Sequence, residues 1–224
     1  MAEVIVALDL PSAAEAERLL ERLPEARWVK VGSILMTREG PALVRRLAER
    51  GLRVFLDLKW HDIPNTVAGA VSAARDLGVT MATVHTVGGR AMMEAAVKAA
   101  GDIALVGVTV LTSQDPAEYD RATGKRGSDL GAEVERLACE AMSGGLDGVV
   151  CSPHEIARVR QVAGATAQIV VPGIRRAVDA AGDQSRTAGP AEARAAGADY
   201  LVVGRPILAA ADPAAVLREM SQRP

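Results

Sequence analysis

Asp57, Lys59 and Asp62 fall within six residues of one another, in the stretch LDLKWHDIPNT at residues 56–66. A carboxylate, an ammonium and a second carboxylate at this spacing are an acid–base cluster, the kind of group that can move a proton. The stretch follows the apolar run Val54-Phe55-Leu56, so the charges arrive where a buried strand is ending. Residues two apart on a strand share a face, which points Asp57 and Lys59 the same way. Lys30 lies in a second apolar run at residues 28–31, and Asp9 follows a third at residues 4–8. The spacing admits two explanations: a catalytic mouth built at strand ends, or ordinary salt bridges on the rim of a sheet.

A second group suits a phosphate. The segments PGIR (172–175) and VGRP (203–206), with Gln184 between them, bring Arg175, Gly204 and Arg205 after two late strand candidates. Glycine exposes backbone N–H groups, and the guanidinium fork matches a phosphate dianion. Thr112 and Ser113 close another apolar run.

The elements that must position these groups alternate. Strand candidates are residues 4–8, 28–31, 54–58, 81–85, 104–110, 148–151, 168–171 and 200–203, each followed by a helical pattern. Ser12-Ala13-Ala14-Glu15 has capping-box spacing, and Gly51, Gly78 and Gly101 stand where helices should stop. The strands read as continuous apolar runs, which marks them as covered on both faces. Eight such units and no Gly/Ser/Pro linker predict a single-domain α/β protein, a (β/α)8 TIM barrel over residues 1–224; an open doubly wound sheet is the competing arrangement. Two connections, residues 111–131 and 172–189, are longer than ordinary strand-to-helix loops, and the first is read as irregular. In a barrel both lie on the C-terminal face, where ligands bind.

Composition narrows the class. Of 224 residues, 49% are hydrophobic and only 2% aromatic, so the core must be aliphatic. A net charge of -2 is a poor footprint for nucleic acid or an anionic membrane surface. No apolar run approaches the roughly 20 residues of a membrane span, and the chain opens directly into a strand, so a cytoplasmic protein is expected. Cys139 and Cys151 read as inert thiols of a reducing compartment. His61, His85 and His154 form no HxH, HxD or HxxxH pair, and no metal site is expected.

The chain resembles the orotidine 5′-monophosphate decarboxylase family in its bacterial form. The matching pieces are VALDL from Val6, VKVG from Val29, DLKWHDIPNT from Asp57, VHTVGG from Val84, VTVLTS from Val108, VPGIR from Val171, GDQ from Gly182 and AGADYLVVGRPI from Ala196. The DxKxxD core is shared with sister sugar-phosphate enzymes and alone fixes only the superfamily; its extension to DIPNT, with Lys30, GDQ and VGRPI, is much more specific. The resemblance implies decarboxylation of orotidine 5′-monophosphate to uridine 5′-monophosphate, with no cofactor and no metal. It implies Lys59, Asp57, Asp62 and Lys30 as the catalytic set, Asp9 and Lys30 on the ribose, and Thr112 and Ser113 facing the pyrimidine. Arg175, Gln184, Gly204 and Arg205 would take the phosphate, and Ile63, Pro64, Asn65 and Thr66 would complete the substrate contacts. It further implies a homodimer in which Asp62 and Thr66 reach the neighbouring site. Two rivals remain: a metal-dependent sugar-phosphate epimerase, synthase or keto-acid decarboxylase on the same barrel, and a non-catalytic nucleotide-phosphate binder.

Overall fold

The structure, a computed structural model, describes residues 2–179 and 186–222. Eight parallel strands close into a barrel in sequence order: β1 (Glu3–Ala7), β2 (Trp28–Gly32), β3 (Arg53–Trp60), β4 (Met81–His85), β5 (Ala104–Val108), β6 (Gly148–Val150), β7 (Gln168–Val171) and β8 (Tyr200–Val203). β1 pairs with both β2 and β8, so the sheet closes on itself and leaves no edge. The open-sheet arrangement is thereby excluded.

Two-residue alternation sorts the strand side chains. Ile5, Ala7, Trp28, Phe55, Met81, Val106, Val170 and Val202 form one buried cluster inside the barrel. Their neighbours in sequence, such as Val6, Val29, Val54, Leu56 and Leu105, pack outward into a larger cluster beneath the helices. Both faces of each strand are therefore apolar, which is why the strands read as unbroken runs. At the N-terminal end of the barrel Trp28 meets Tyr200 edge-on at 5.2 Å, and the Arg53 guanidinium lies 5.5 Å above the indole.

The outer helices are α1 (Ala13–Glu21), α2 (Ser33–Glu39), α3 (Pro41–Glu49), α4 (Pro64–Asp76), α5 (Arg90–Ala100), α6 (Pro116–Thr123), α7 (Leu130–Ser143), α8 (Ile156–Ala163), α9 (Pro190–Ala195), α10 (Arg205–Leu208) and α11 (Pro213–Ser221). Ser12 caps α1 as its spacing predicts, its hydroxyl accepting from Glu15 N at 3.3 Å. The connection at 111–131 is not irregular: it holds α6, capped by Asp115, whose carboxylate accepts from Glu118 N at 2.7 Å. Two short helices, α2 and α10, were also not anticipated. Among the described residues no helix is long and apolar enough to cross a membrane.

Candidate active site

The same alternation that fills the barrel interior places the charges. Asp9 stands two residues after Ala7, Lys30 two after Trp28, Asp57 two after Phe55 and Gly204 two after Val202, so each caps an inward apolar column at the C-terminal mouth. A cavity of about 520 Å³ opens there, the size of a small-ligand site. Ala7, Phe55, Val150 and Val202 contribute apolar lining, and Asp9, Lys30, Asp57 and Lys59 stand along one side of it. Thr112, Arg175, Gly204 and Arg205 line it from the other strands.

The four charges form one alternating row. Lys30 Nζ lies 2.8 Å from Asp9 Oδ1 and 3.6 Å from Asp57 Oδ2; Lys59 Nζ lies 2.8 Å from Asp57 Oδ1. The inner pair is buried, with Lys30 and Asp57 side chains 10% and 13% exposed; the outer pair is open, with Asp9 at 44% and Lys59 at 37%. Burial alone would push the Asp57 carboxyl up. Lys30 and Lys59, with hydrogen bonds from Lys59 and Thr83, outweigh it and hold Asp57 below the ordinary aspartate range. Asp57 is therefore an anion between two cations.

Lys59 does not reach Asp57 by plain alternation. Leu56 pairs with Ala82 and Trp60 with Val84, so β3 advances four residues while β4 advances two, and a bulge takes up the difference. Lys59 sits in that bulge at φ 52° and is the one non-glycine residue with positive φ among the described residues. For an L-residue this conformation costs about 1–2 kcal/mol. Thr83, fully buried on β4, meets both members of the pair: its Oγ1 accepts from Lys59 N at 2.8 Å and donates to Asp57 Oδ1 at 3.2 Å.

Sequence reasoning missed Thr83, which lies in the unremarkable run MATVH. It also missed Gly32. A Cβ there would stand 2.9 Å from Lys30 Nζ and 3.3 Å from Asp9 Oδ1, so glycine at the end of VKVG leaves room for the first ion pair of the row.

Other expected site residues are placed differently. Asp62, Asn65 and Thr66 are exposed at the start of α4, and Ile63 is 67% exposed. None of these, nor Pro64 or Ser113, is among the residues lining the cavity. The Asp62 carboxylate accepts from Ile63 N at 2.6 Å and makes no ion pair among the described residues. The row within one chain therefore ends at Lys59 and does not include Asp62. Gln184 lies outside the described residues. Arg175 is buried and donates from Nη1 to Ile174 O at 2.8 Å. Arg186 ties the segment before α9 to two neighbouring loops, bonding Glu155 Oε1 at 2.6 Å and Leu111 O at 3.0 Å.

The His61 and His85 rings approach to 5.8 Å, a proximity not anticipated from their spacing. Burial first, then His61 and Lys59, keep the His85 imidazole below the ordinary histidine value, which favours its neutral form. Among the described residues no group of three His, Cys, Asp or Glu side chains is placed to hold a metal ion. Cys151 is buried, which pushes its thiol up and leaves it unreactive; Cys139 is exposed.

Comparison with known proteins gives a consistent result. A family model described as "Orotidine 5'-phosphate decarboxylase / HUMPS family" matches residues 2–220. A protein of Halorhodospira halophila named orotidine 5'-phosphate decarboxylase is 55% identical over 217 residues, covering 95% of this chain and 91% of that protein. One of the same name from Laribacter hongkongensis is 51% identical, covering 97% and 90%. Among solved structures, orotidine 5'-phosphate decarboxylase from Lactobacillus acidophilus superposes with a TM-score of 0.88 at 35% identity, covering 98% of this chain and 97% of that one.

Proposed function

The chain belongs to the orotidine 5'-phosphate decarboxylase / HUMPS family, and on that premise we propose that it converts orotidine 5′-monophosphate to uridine 5′-monophosphate and CO2 in pyrimidine nucleotide synthesis. The observation that carries this reading is the alternating row Asp9–Lys30–Asp57–Lys59 set along a cavity that also holds Arg175 and Arg205. A simple phosphate binder needs the arginines and has no use for the row.

The chemistry explains why such a row is required. Breaking the bond from carbon 6 to its carboxylate leaves an electron pair in an in-plane orbital that the pyrimidine ring cannot delocalise. With no metal or organic cofactor as sink, a fixed cation must stand beside that pair. Lys59 takes this role and then delivers a proton from Nζ to carbon 6, forming the new C–H bond as CO2 leaves. Asp57 keeps the ammonium in place and lies beside the departing carboxylate. Repulsion at about 4 Å and an effective dielectric of about 20 supplies about 4 kcal/mol. The largest enzymatic accelerations need about 23 kcal/mol, so stabilisation of the carbanion carries more than repulsion does. Asp9 and Lys30 bind the ribose hydroxyls, Thr112 and Ser113 face the pyrimidine, and Gly204 and Arg205 with Arg175 and Gln184 hold the phosphate. Remote phosphate binding then contributes to alignment at carbon 6. A cytoplasmic location goes with this reading, since charged nucleotides do not cross membranes unaided.

The direct test follows the absorbance of orotidine 5′-monophosphate with purified protein in EDTA. Turnover undiminished by the chelator is expected. Activity that disappears and returns with a divalent ion would instead support a metal-dependent enzyme on the same barrel.

The working unit is a homodimer in which Asp62 and Thr66 complete the partner's site. Their exposure at the start of α4, beside exposed Ile63, and the absence of an ion pair for Asp62 among the described residues support this. Lys59→Ala and Asp62→Ala proteins should each be nearly inactive. In a mixed dimer, the site built on the Asp62 variant keeps its own Lys59 and receives an intact Asp62 from its partner; the other site collects both lesions. Random reassortment of equal amounts should therefore restore roughly a quarter of all sites. If mass spectrometry shows exchange and no activity returns, Asp62 works within its own chain.

A further inference from the structure

We propose that Thr83 is a positioning residue that holds the β3 bulge in the form that aims Lys59 into the cavity. The inference rests on the decarboxylase reading of the site and adds a residue outside the charged row. Three contacts close a ring: Lys59 N to Thr83 Oγ1 at 2.8 Å, Thr83 Oγ1 to Asp57 Oδ1 at 3.2 Å, and Lys59 Nζ to Asp57 Oδ1 at 2.8 Å. A hydroxyl has one proton to give and lone pairs to receive, and Thr83 uses both capacities on the two residues that must stay in register.

The bulge explains why a side chain is needed there. Between the Leu56–Ala82 and Trp60–Val84 pairs the strands are out of step, and the Lys59 N–H finds its acceptor in the Thr83 hydroxyl instead of a ladder carbonyl. The donated proton fixes Asp57 Oδ1, the oxygen that receives Lys59 Nζ. Backbone and side chain of Lys59 are thus pinned through one fully buried atom group. Without the hydroxyl, the positive φ of Lys59 loses the bond that stabilises it, and the ammonium loses its fixed direction.

The experiment compares Thr83→Val, which keeps shape and removes the hydroxyl, with Thr83→Ser, which keeps the hydroxyl and removes the methyl. With orotidine 5′-monophosphate, the valine variant should lose about a hundredfold in kcat, the scale of a misplaced catalytic group. Its KM and its affinity for uridine 5′-monophosphate should stay within about threefold, because the proposed phosphate-binding groups that follow β7 and β8 are untouched. The serine variant should recover kcat to within about threefold of wild type. Circular dichroism confirms that each variant is folded; Thr83→Ala carries the same expectation should the valine variant not fold. The proposal is overturned if the hydroxyl-free variants keep kcat within threefold, if serine is as impaired as valine, or if the loss lies in KM alone. Wild-type protein run alongside separates the two ideas: inactive wild type defeats the decarboxylase reading, and active wild type with an indifferent Thr83→Val defeats only this one.

Discussion

Replacing Lys59 by alanine is expected to lower kcat by on the order of 10⁴-fold or more while leaving the barrel folded. Under the proposed mechanism one substitution removes both the cation beside carbon 6 and the proton donor, effects that separately run to factors of about 10² to 10⁴. The fold should tolerate it because Asp57 keeps two other partners: Lys30 Nζ at 3.6 Å and the Thr83 hydroxyl at 3.2 Å. A buried carboxylate left with no partner would be far more damaging. Thermal melting should show a cooperative transition, and uridine 5′-monophosphate should still bind through the groups that follow β7 and β8. A variant that retains a tenth of wild-type turnover would refute the role given to Lys59.

Arg205→Ala is expected to reduce kcat/KM for orotidine 5′-monophosphate by about 10²-fold or more, equivalent to about 3 kcal/mol of lost charge-assisted binding. Arg205 begins α10 directly after β8, whereas Lys59 extends from β3, with β1 and β2 between those strands around the barrel. In the proposed reading substrate and transition state share the phosphate, and the remote contact of Arg205 with it serves to align the base. The discriminating measurement uses orotidine, which lacks the phosphate. Its slow turnover should be almost indifferent to the change. Equal losses with both substrates would assign Arg205 to the chemistry or to the fold.

What could be read in the sequence follows a physical division. Each strand's buried run and the spacing from Ala7 to Asp9, Trp28 to Lys30 and Phe55 to Asp57 are local, and the period of two carries them from sequence into the barrel mouth. Helix α6 was local as well: Asp115-Pro116 followed by Glu118 is a cap signature, obscured by the polar character of the surrounding loop. Helix α2 offered less, since Ile34 is 53% exposed and Leu35 is its buried residue. The β3 bulge and Thr83 belong to another category. Thr83 stands 26 residues from Asp57, and their contact depends on the offset between two strands, a quantity no single strand encodes. Gly32 likewise acquires meaning only once Lys30 and Asp9 are seen to meet beside it. Asp62 marks a third limit, because its proposed role lies in another copy of the chain.

The row of charges is dry in the middle and wet at both ends, and under the proposed reaction this decides where the product's new hydrogen comes from. Each turnover strips Lys59 of a proton that must be replaced before the next. The Lys59 side chain is 37% exposed and so open to exchange with bulk solvent, while that of Lys30, at 10%, is shielded. In heavy water, carbon 6 of uridine 5′-monophosphate should therefore emerge deuterated. In a mixture of light and heavy water, Lys59 would write the solvent's isotope ratio, weighted by its own preference, into the nucleotide pool.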